Sequence, residues 1–273
     1  MTAHVRDYWQ GKSVLITGAS SGLGRAVAAA LAPFGVRLGL LSRRLEKMQE
    51  LAEQLKDSGS TFFCQACDVR DREQVYAAVN AFHKEAGGLD VGWVNSGISL
   101  NSSFEDWDWQ GYADLIDTNL NGAIYTIRAC LEIMVPRKSG TIVGIGSAAS
   151  MRGLPSRGVY SFSKVALDYF LESLAVELPA IQFTTIHPGF VDTPINQGNP
   201  NRFWLLTPEQ AAQIMIKAVA KKRRVVIYPW RMNLLFRLVR ALPRWVYEPL
   251  ARKGMAKSRP AEHQRMAGAA EPN

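Results

Sequence analysis

The chain has little cysteine, no long apolar run and almost no net charge in its main body. Its three cysteines, Cys64, Cys67 and Cys130, are too few for a disulfide framework and fit a reducing compartment. No apolar stretch reaches 18 residues, and uncharged stretches such as 178–191 are rich in polar groups, which argues against a membrane-spanning helix. The first residues do not pair a basic segment with an apolar one, so a secretory leader is not expected and a cytoplasmic location is. No internal repeat is visible. Hydrophobic residues at 47% and charged residues at 21% exclude a disordered or fibrous chain. The formal charge of +8 belongs to the end of the chain: residues 221–273 hold 13 Lys and Arg against three Glu. The first 220 residues hold 19 basic against 21 acidic side chains, so a nucleic-acid partner is not expected.

Short apolar runs alternate with longer periodic ones. Strands are expected at 13–17, 36–41, 61–66, 90–94, 141–146, 183–187 and 224–228. Helices are expected at 25–31, 43–56, 71–85, 112–135 and 159–178, and one opens at Thr207-Pro208-Glu209-Gln210 with a capping box. Apolar strands separated by amphipathic helices imply an α/β fold, a doubly wound parallel sheet covered on both faces. The chain is expected to divide into a main doubly wound domain, 1–228, and a basic helical C-terminal extension, 229–273.

Between the first strand and the first helix stands Gly18-Ala19-Ser20-Ser21-Gly22-Leu23-Gly24. Glycines at that junction permit a tight turn and let backbone approach a pyrophosphate at a helix N-terminus. The spacing, G-x-x-x-G-x-G, resembles that of the short-chain dehydrogenase/reductase family, and later motifs agree in order over residues 11–228. Asp68-Val69 resembles the family's Asp-Val, which implies that Asp68 faces the adenine. Val94-Asn95-Ser96-Gly97 stands where the family has Asn-Asn-Ala-Gly; the resemblance implies that Asn95 and Gly97 support the central sheet and the nicotinamide side. Asn119, Ser147, Tyr160 and Lys164 match the family's catalytic asparagine, serine and Tyr-x-x-x-Lys pair, and Pro188-Gly189 matches the turn after the sixth strand. The resemblance also implies that Thr193 contacts the nicotinamide amide or phosphate, and that subunits pair through the helices at 112–135 and 159–178 into dimers or tetramers.

The end of the second strand reads the adenosine ribose in this fold. Here it is Leu41-Ser42-Arg43-Arg44, with serine in the slot where an acid would repel a 2′-phosphate. Two guanidinium groups suit that phosphate, so NADP(H) is expected over NAD(H).

Hydride transfer to a carbonyl leaves an oxygen that needs a proton. Tyr160 is the expected donor, and an ammonium one helical turn away at Lys164 is expected to draw the phenol down from about 10 toward neutrality. Ser147 is expected to stabilise the substrate oxygen. The resemblance further implies that Lys164 holds the nicotinamide ribose and that Asn119 positions a water leading to Lys164. A second Tyr-x-x-x-Lys, Tyr8 to Lys12, precedes the first strand and has no such context. Cys64 and Cys67 lack the further ligands of a zinc site, and His4, His83, His187 and His263 lack metal-ligand spacing, so no metal is expected.

These residues favour an NADP-dependent carbonyl reductase or alcohol dehydrogenase acting on a small hydrophobic molecule. A non-catalytic NADP-binding regulator and an isomerase or epimerase on the same scaffold are the alternatives. The segment 190–206 either covers the substrate through Phe203, Trp204, Leu205 and Leu206 or packs under the next helix. Trp107 and Trp109 are either packing residues or substrate contacts. An amphipathic helix is expected at 230–244, with Leu234, Leu235, Leu238, Val239 and Leu242 on one face and Asn233, Arg237, Arg240 and Arg244 on the other. It is too short to span a bilayer and either lies at an anionic membrane surface, making 230–250 a peripheral contact, or packs on protein.

Overall fold

A computed structural model describes residues 3–105, 107–196 and 202–258. In chain order these form α1 (Ala3–Trp9), β1 (Ser13–Thr17), α2 (Gly22–Leu31), β2 (Arg37–Ser42), α3 (Leu45–Gln54), β3 (Thr61–Ala66), α4 (Arg72–Ala86) and β4 (Val91–Val94). There follow α5 (Trp109–Ile116), α6 (Gly122–Met134), β5 (Thr141–Ile145), α7 (Gly158–Glu177), β6 (Gln182–Pro188), α8 (Pro208–Ala220), β7 (Val225–Tyr228), α9 (Trp230–Ala241) and α10 (Arg244–Ser258).

Among the described residues the strands make one seven-stranded parallel sheet in the order β3-β2-β1-β4-β5-β6-β7. Every residue of β1, β4 and β5 is buried, as a sheet covered on both faces requires. One core lies under α1, α2 and α8 and contains Trp9, Val27, Leu38 and Met215; the other lies under α4, α6 and α7 and contains Leu15, Phe82, Ile127 and Leu171. The chain runs outward from β1 to β3, then returns to β4 at the far side of β1. That reversal opens a crevice at the carboxyl ends of β1 and β4, where a ligand site is expected in such sheets.

The caps set the helix ends. Asp71 accepts from Gln74 N (3.1 Å) to start α4, and Asp108 accepts from Gly111 N (3.0 Å) to start α5. Thr207 and Gln210 form the expected capping box at α8, at 3.0 and 3.2 Å.

Four departures from the periodicity have local causes. The helix α1 was not expected; Val5 and Trp9, four apart, bury one side of it, and Trp9 Nε1 donates to Ile216 O (3.1 Å). The first βα helix begins at Gly22 rather than 25, since the glycine turn winds directly into it. The expected helix at 112–135 is instead α5 and α6 joined by a π-helical turn, Asp117–Asn121, which widens the helix where Asn119 turns inward. The expected helix at 230–244 stops at Ala241; Leu242, before Pro243, is extended, and a further helix, α10, begins at Arg244. The tail at 259–273 lies outside the described residues.

At Gly39 in β2 a Cβ would stand 2.7 Å from the Phe82 ring and 2.9 Å from Leu15 Cδ1. Gly39→Val should therefore cost about 1–3 kcal/mol by overpacking. The check is the thermal unfolding midpoint, which should fall by several degrees; an unchanged midpoint would contradict this packing.

Candidate functional site

The crevice begins with the glycine turn. Gly18 is left-handed (φ +67°), and a Cβ on it would meet Asn95 Nδ2 and Ser96 Cα at 3.0 Å. Asn95 N and Ser96 N donate to Thr17 Oγ1 (3.0 and 3.2 Å), and Asn95 Nδ2 donates to Thr17 O (3.0 Å) and Gly18 O (3.3 Å). The Ser96 departure from the family motif leaves this backbone bond in place. Gly24 does not line the crevice; it lets α2 press against the Gly18 carbonyl and Asn95.

The crevice is a cleft of about 420 Å³. Gly18, Ser20, Ser21, Gly22, Leu23, Arg43, Arg44, Asp68, Val69, Asn95, Gly97 and Thr193 all line it, as does Ser42 at the end of β2. Arg44 folds over the turn: its Nη2 donates to Ser20 Oγ and Ser21 Oγ, each at 2.9 Å, and its backbone N donates to Ser42 Oγ (3.1 Å). Hydrogen bonds from Arg70, which lies 2.7 Å from the Asp68 carboxylate and 2.9 Å from Asp114, hold the Asp68 carboxyl below the usual carboxylate range. Ile98, Ser99, Thr118 and Ile195 are also part of the wall; no motif in the sequence singled them out.

A second, more apolar cavity of about 180 Å³ adjoins the first, sharing Leu23, Ser99, Ile145, Thr193 and Ile195. Ser147, Tyr160, Lys164, Pro188 and Gly189 face it. Ser147 follows β5 and caps the short turn at 148–151, accepting from Ala149 N (3.1 Å). Its hydroxyl also acts on the Tyr160 phenol, favouring the ionised form. Burial pushes that phenol above its ordinary value, against the opposing effects of the Ser147 bond and the Arg157 charge. The expected downward pull of Lys164 therefore does not dominate. Lys164 Nζ lies 5.9 Å from the Tyr160 ring centre and donates to Ile145 O (2.9 Å). Burial pulls Lys164 itself down to about 8, with Asp168 acting in the other direction.

Asn119 is buried and lines neither cavity. Its Oδ1 accepts from Ile98 N (2.8 Å), and its Nδ2 donates to Ile98 O (2.9 Å) and Ser163 Oγ (3.2 Å). A Cβ on Gly97 would lie 3.3 Å from Asn119 Oδ1 and 3.4 Å from Lys164 Nζ, so this glycine lets the two side chains converge.

Behind Ser147 sits a buried histidine, His187, whose place at a strand end before Pro188-Gly189 suggests a structural rather than a catalytic role. His187 Nδ1 lies 3.1 Å from both Ser147 O and Ser150 Oγ, and its Nε2 lies 3.8 Å from Asp168 Oδ1. His187 thus braces the Ser147 turn.

The apolar side of the second cavity holds Leu154, Phe190, Val191, Met232 and Phe236. The last two come from α9, so the basic extension supplies part of the pocket wall. Arg152 ties it down: its Nη1 donates to the α9 C-terminal carbonyls of Val239 (2.9 Å) and Arg240 (3.0 Å) and to Leu242 O (2.8 Å), and its guanidinium stacks on Tyr247. Phe203 packs edge-on against Phe190, while Leu206 packs against the core; positions 197–201 of this segment lie outside the described residues. Trp107 and Trp109 stack on each other and on Tyr112 and line neither cavity. The second Tyr-x-x-x-Lys is a packing pair, with Lys12 over the Tyr8 ring and Tyr8 OH on Thr141 at the opposite end of the sheet. Burial pushes the Cys67 thiol up to about 11 and Cys130 up to about 12, so both are protonated thiols at neutral pH.

A family model described as short chain dehydrogenase matches residues 12–202. The chain belongs to the short-chain dehydrogenase/reductase family. An uncharacterized oxidoreductase of Myxococcus xanthus is 36% identical over 246 residues, 89% of this chain and 97% of the relative. An uncharacterized oxidoreductase of Staphylococcus aureus is 31% identical over 217 residues, 78% and 93% of the two chains. Among solved structures, an alcohol dehydrogenase from the archaeon Thermococcus sibiricus, complexed with 5-hydroxy-NADP, superposes with a TM-score of 0.74 at 28% identity, covering 80% of this chain and 95% of that one. A Burkholderia phymatum member in complex with NAD shows the same fold at 23% identity and a TM-score of 0.78, covering 85% and 93%. As a short-chain dehydrogenase/reductase the protein is an oxidoreductase, and its fold is one that binds nicotinamide cofactors. Among the described residues no helix is long and apolar enough to cross a membrane.

Proposed function

We propose that this oxidoreductase uses NADP(H) to interconvert a hydrophobic carbonyl compound and its secondary alcohol. The observation that carries the reading is the meeting of Ser147, Tyr160 and Lys164 in an apolar pocket that adjoins the glycine-turn cleft. When bound, the nicotinamide cofactor supplies or accepts the hydride. The residues fit such a group: the turn at Gly18 and Gly22 keeps its backbone bare, and Ser20, Ser21 and Arg44 present donors at the ribose end.

In the reductive direction Tyr160 gives its proton to the carbonyl oxygen, and its raised pKa keeps that proton in place at neutral pH. Ser147 donates to the same oxygen as negative charge develops there. Lys164, charged below about pH 8, favours loss of the phenol's proton to the carbonyl oxygen, then passes a proton of its own to the phenolate and regains one from solvent; the same ammonium would steady the ribose hydroxyls. Asp68, Val69, Asn95 and Gly97 are assigned to the adenine and nicotinamide sides, and Pro188, Gly189 and Thr193 to the nicotinamide. Leu154, Phe190, Met232 and Phe236 favour an apolar substrate. The family match and the retained Tyr160 and Lys164 speak against a non-catalytic regulator. Phe162, Tyr169 and Val176, seven apart on α7, are 57%, 65% and 78% exposed and suit burial against a second copy in a dimer or tetramer.

Three outcomes are expected. Arg44→Ala should weaken NADPH binding by about ten-fold to a hundred-fold and leave NADH binding nearly unchanged, measured by fluorescence titration. Equal losses for both cofactors would contradict the assignment. Tyr160→Phe should bind cofactor nearly normally and lose at least about a hundred-fold in turnover. The wild-type reduction rate should fall as pH rises through about 8, where Lys164 loses its charge; near-normal turnover in the variant, or a rate level well above that pH, would contradict these roles.

A further inference from the structure

The orientation of α9 departs from its sequence pattern. One apolar face was expected, comprising Leu234, Leu235, Leu238, Val239 and Leu242. The helix instead buries Met232 and turns Phe236 into the pocket, leaving Leu234 and Leu238 in solvent at 54% and 60% exposure. Packing decides this: Met232 Cε stands 3.0 Å from where a Gly189 Cβ would be, so the inward face is the one carrying the sulfur and the aromatic ring. At about 100° per residue, Trp230, Leu234 and Leu238 share a sector of about 80° opposite Met232 and Phe236, with Arg231 and Arg237 on its two borders. The indole of Trp230 is exposed, and so is that of Trp245 at the start of α10.

This helix is therefore apolar on two sides, and the domain uses one. The surroundings identify what fits the other. Residues 230–258 carry seven Lys and Arg against Glu248 alone. A two-fold contact with a second copy through this face would set its arginines against their own images, a like-charge arrangement that opposes pairing. An anionic bilayer surface meets both needs at once: acyl chains receive Trp230, Leu234 and Leu238, and headgroups receive the arginine borders.

We infer that the outer face of α9 docks this protein on an anionic membrane surface. The inner face of the same helix walls the apolar pocket, so docking sets that pocket beside lipid. The consequence that the pocket takes its carbonyl compound from the bilayer rests on the functional reading above; the docking does not.

The test is co-sedimentation of the full chain with phosphatidylcholine vesicles containing about one third phosphatidylserine, compared with phosphatidylcholine alone. Binding to the anionic vesicles, release by high salt, and at least a ten-fold lower partition for a double variant carrying Trp230→Glu and Leu238→Glu are expected. Both side chains lie outside the two cavities, so the variant should keep its melting midpoint and its cofactor binding. Failure of the full chain to sediment with anionic vesicles would overturn the inference. So would equal sedimentation of wild type and variant, or a variant that loses only subunit association. Sedimentation needs no turnover, so an inactive protein would still answer, and failure of the functional reading stays distinguishable from failure of the docking.

Discussion

Thr17 and Asn95 tie together the carboxyl ends of β1 and β4, the two neighbours between which the strand order reverses. Thr17 Oγ1 accepts two backbone N–H groups from the β4 side, and Asn95 returns a bond to the carbonyl of Thr17. A parallel sheet leaves these strand ends without ladder partners, so side chains must supply them. Because they do so here, the glycine turn stands at a fixed height above β4, and Gly97 falls where Asn119 and Lys164 can both approach. The cleft and the pocket follow from that stitch.

Burial governs the reactive groups. It raises the Tyr160 phenol and lowers Lys164 to about 8, moving both toward their neutral forms. The surrounding structure opposes this only in part, through Ser147 and Arg157 at the phenol and Asp168 at the amine. A proton-loaded phenol beside an amine that titrates near neutrality is an arrangement suited to giving up a proton and regaining it. His187, fixed between Ser147 O, Ser150 and Asp168, keeps the serine turn from relaxing away from the pair.

Much of this could be read from the residues. The apolar strands, the cap at Thr207 and the turn at Gly18 each obey local rules, and each stands where those rules put it. Ser147, Tyr160 and Lys164 were legible because strand end and helical spacing together limit where their side chains can meet. What escaped the sequence depends on packing between distant segments. Periodicity alone gives α9 one apolar face, and only the fit of Met232 against Gly189 and of Phe236 into the pocket chooses another. The π-helical turn at Asn119 was hidden because the partner its side chain meets is Ile98, 21 residues earlier. The short α1 is too brief for a periodic signal, and its stability comes from Trp9 reaching α8.

The most direct measurement of the central claim, hydride transfer in the pocket of Ser147 and Tyr160, follows an isotope. The wild-type protein is given NADPH deuterated at the transferring position of the nicotinamide and a hydrophobic ketone, and the product is read by mass spectrometry and NMR. The account predicts one deuterium on the carbinol carbon and a solvent-derived proton on oxygen. Product lacking that deuterium, or carrying solvent hydrogen on carbon instead, would contradict it.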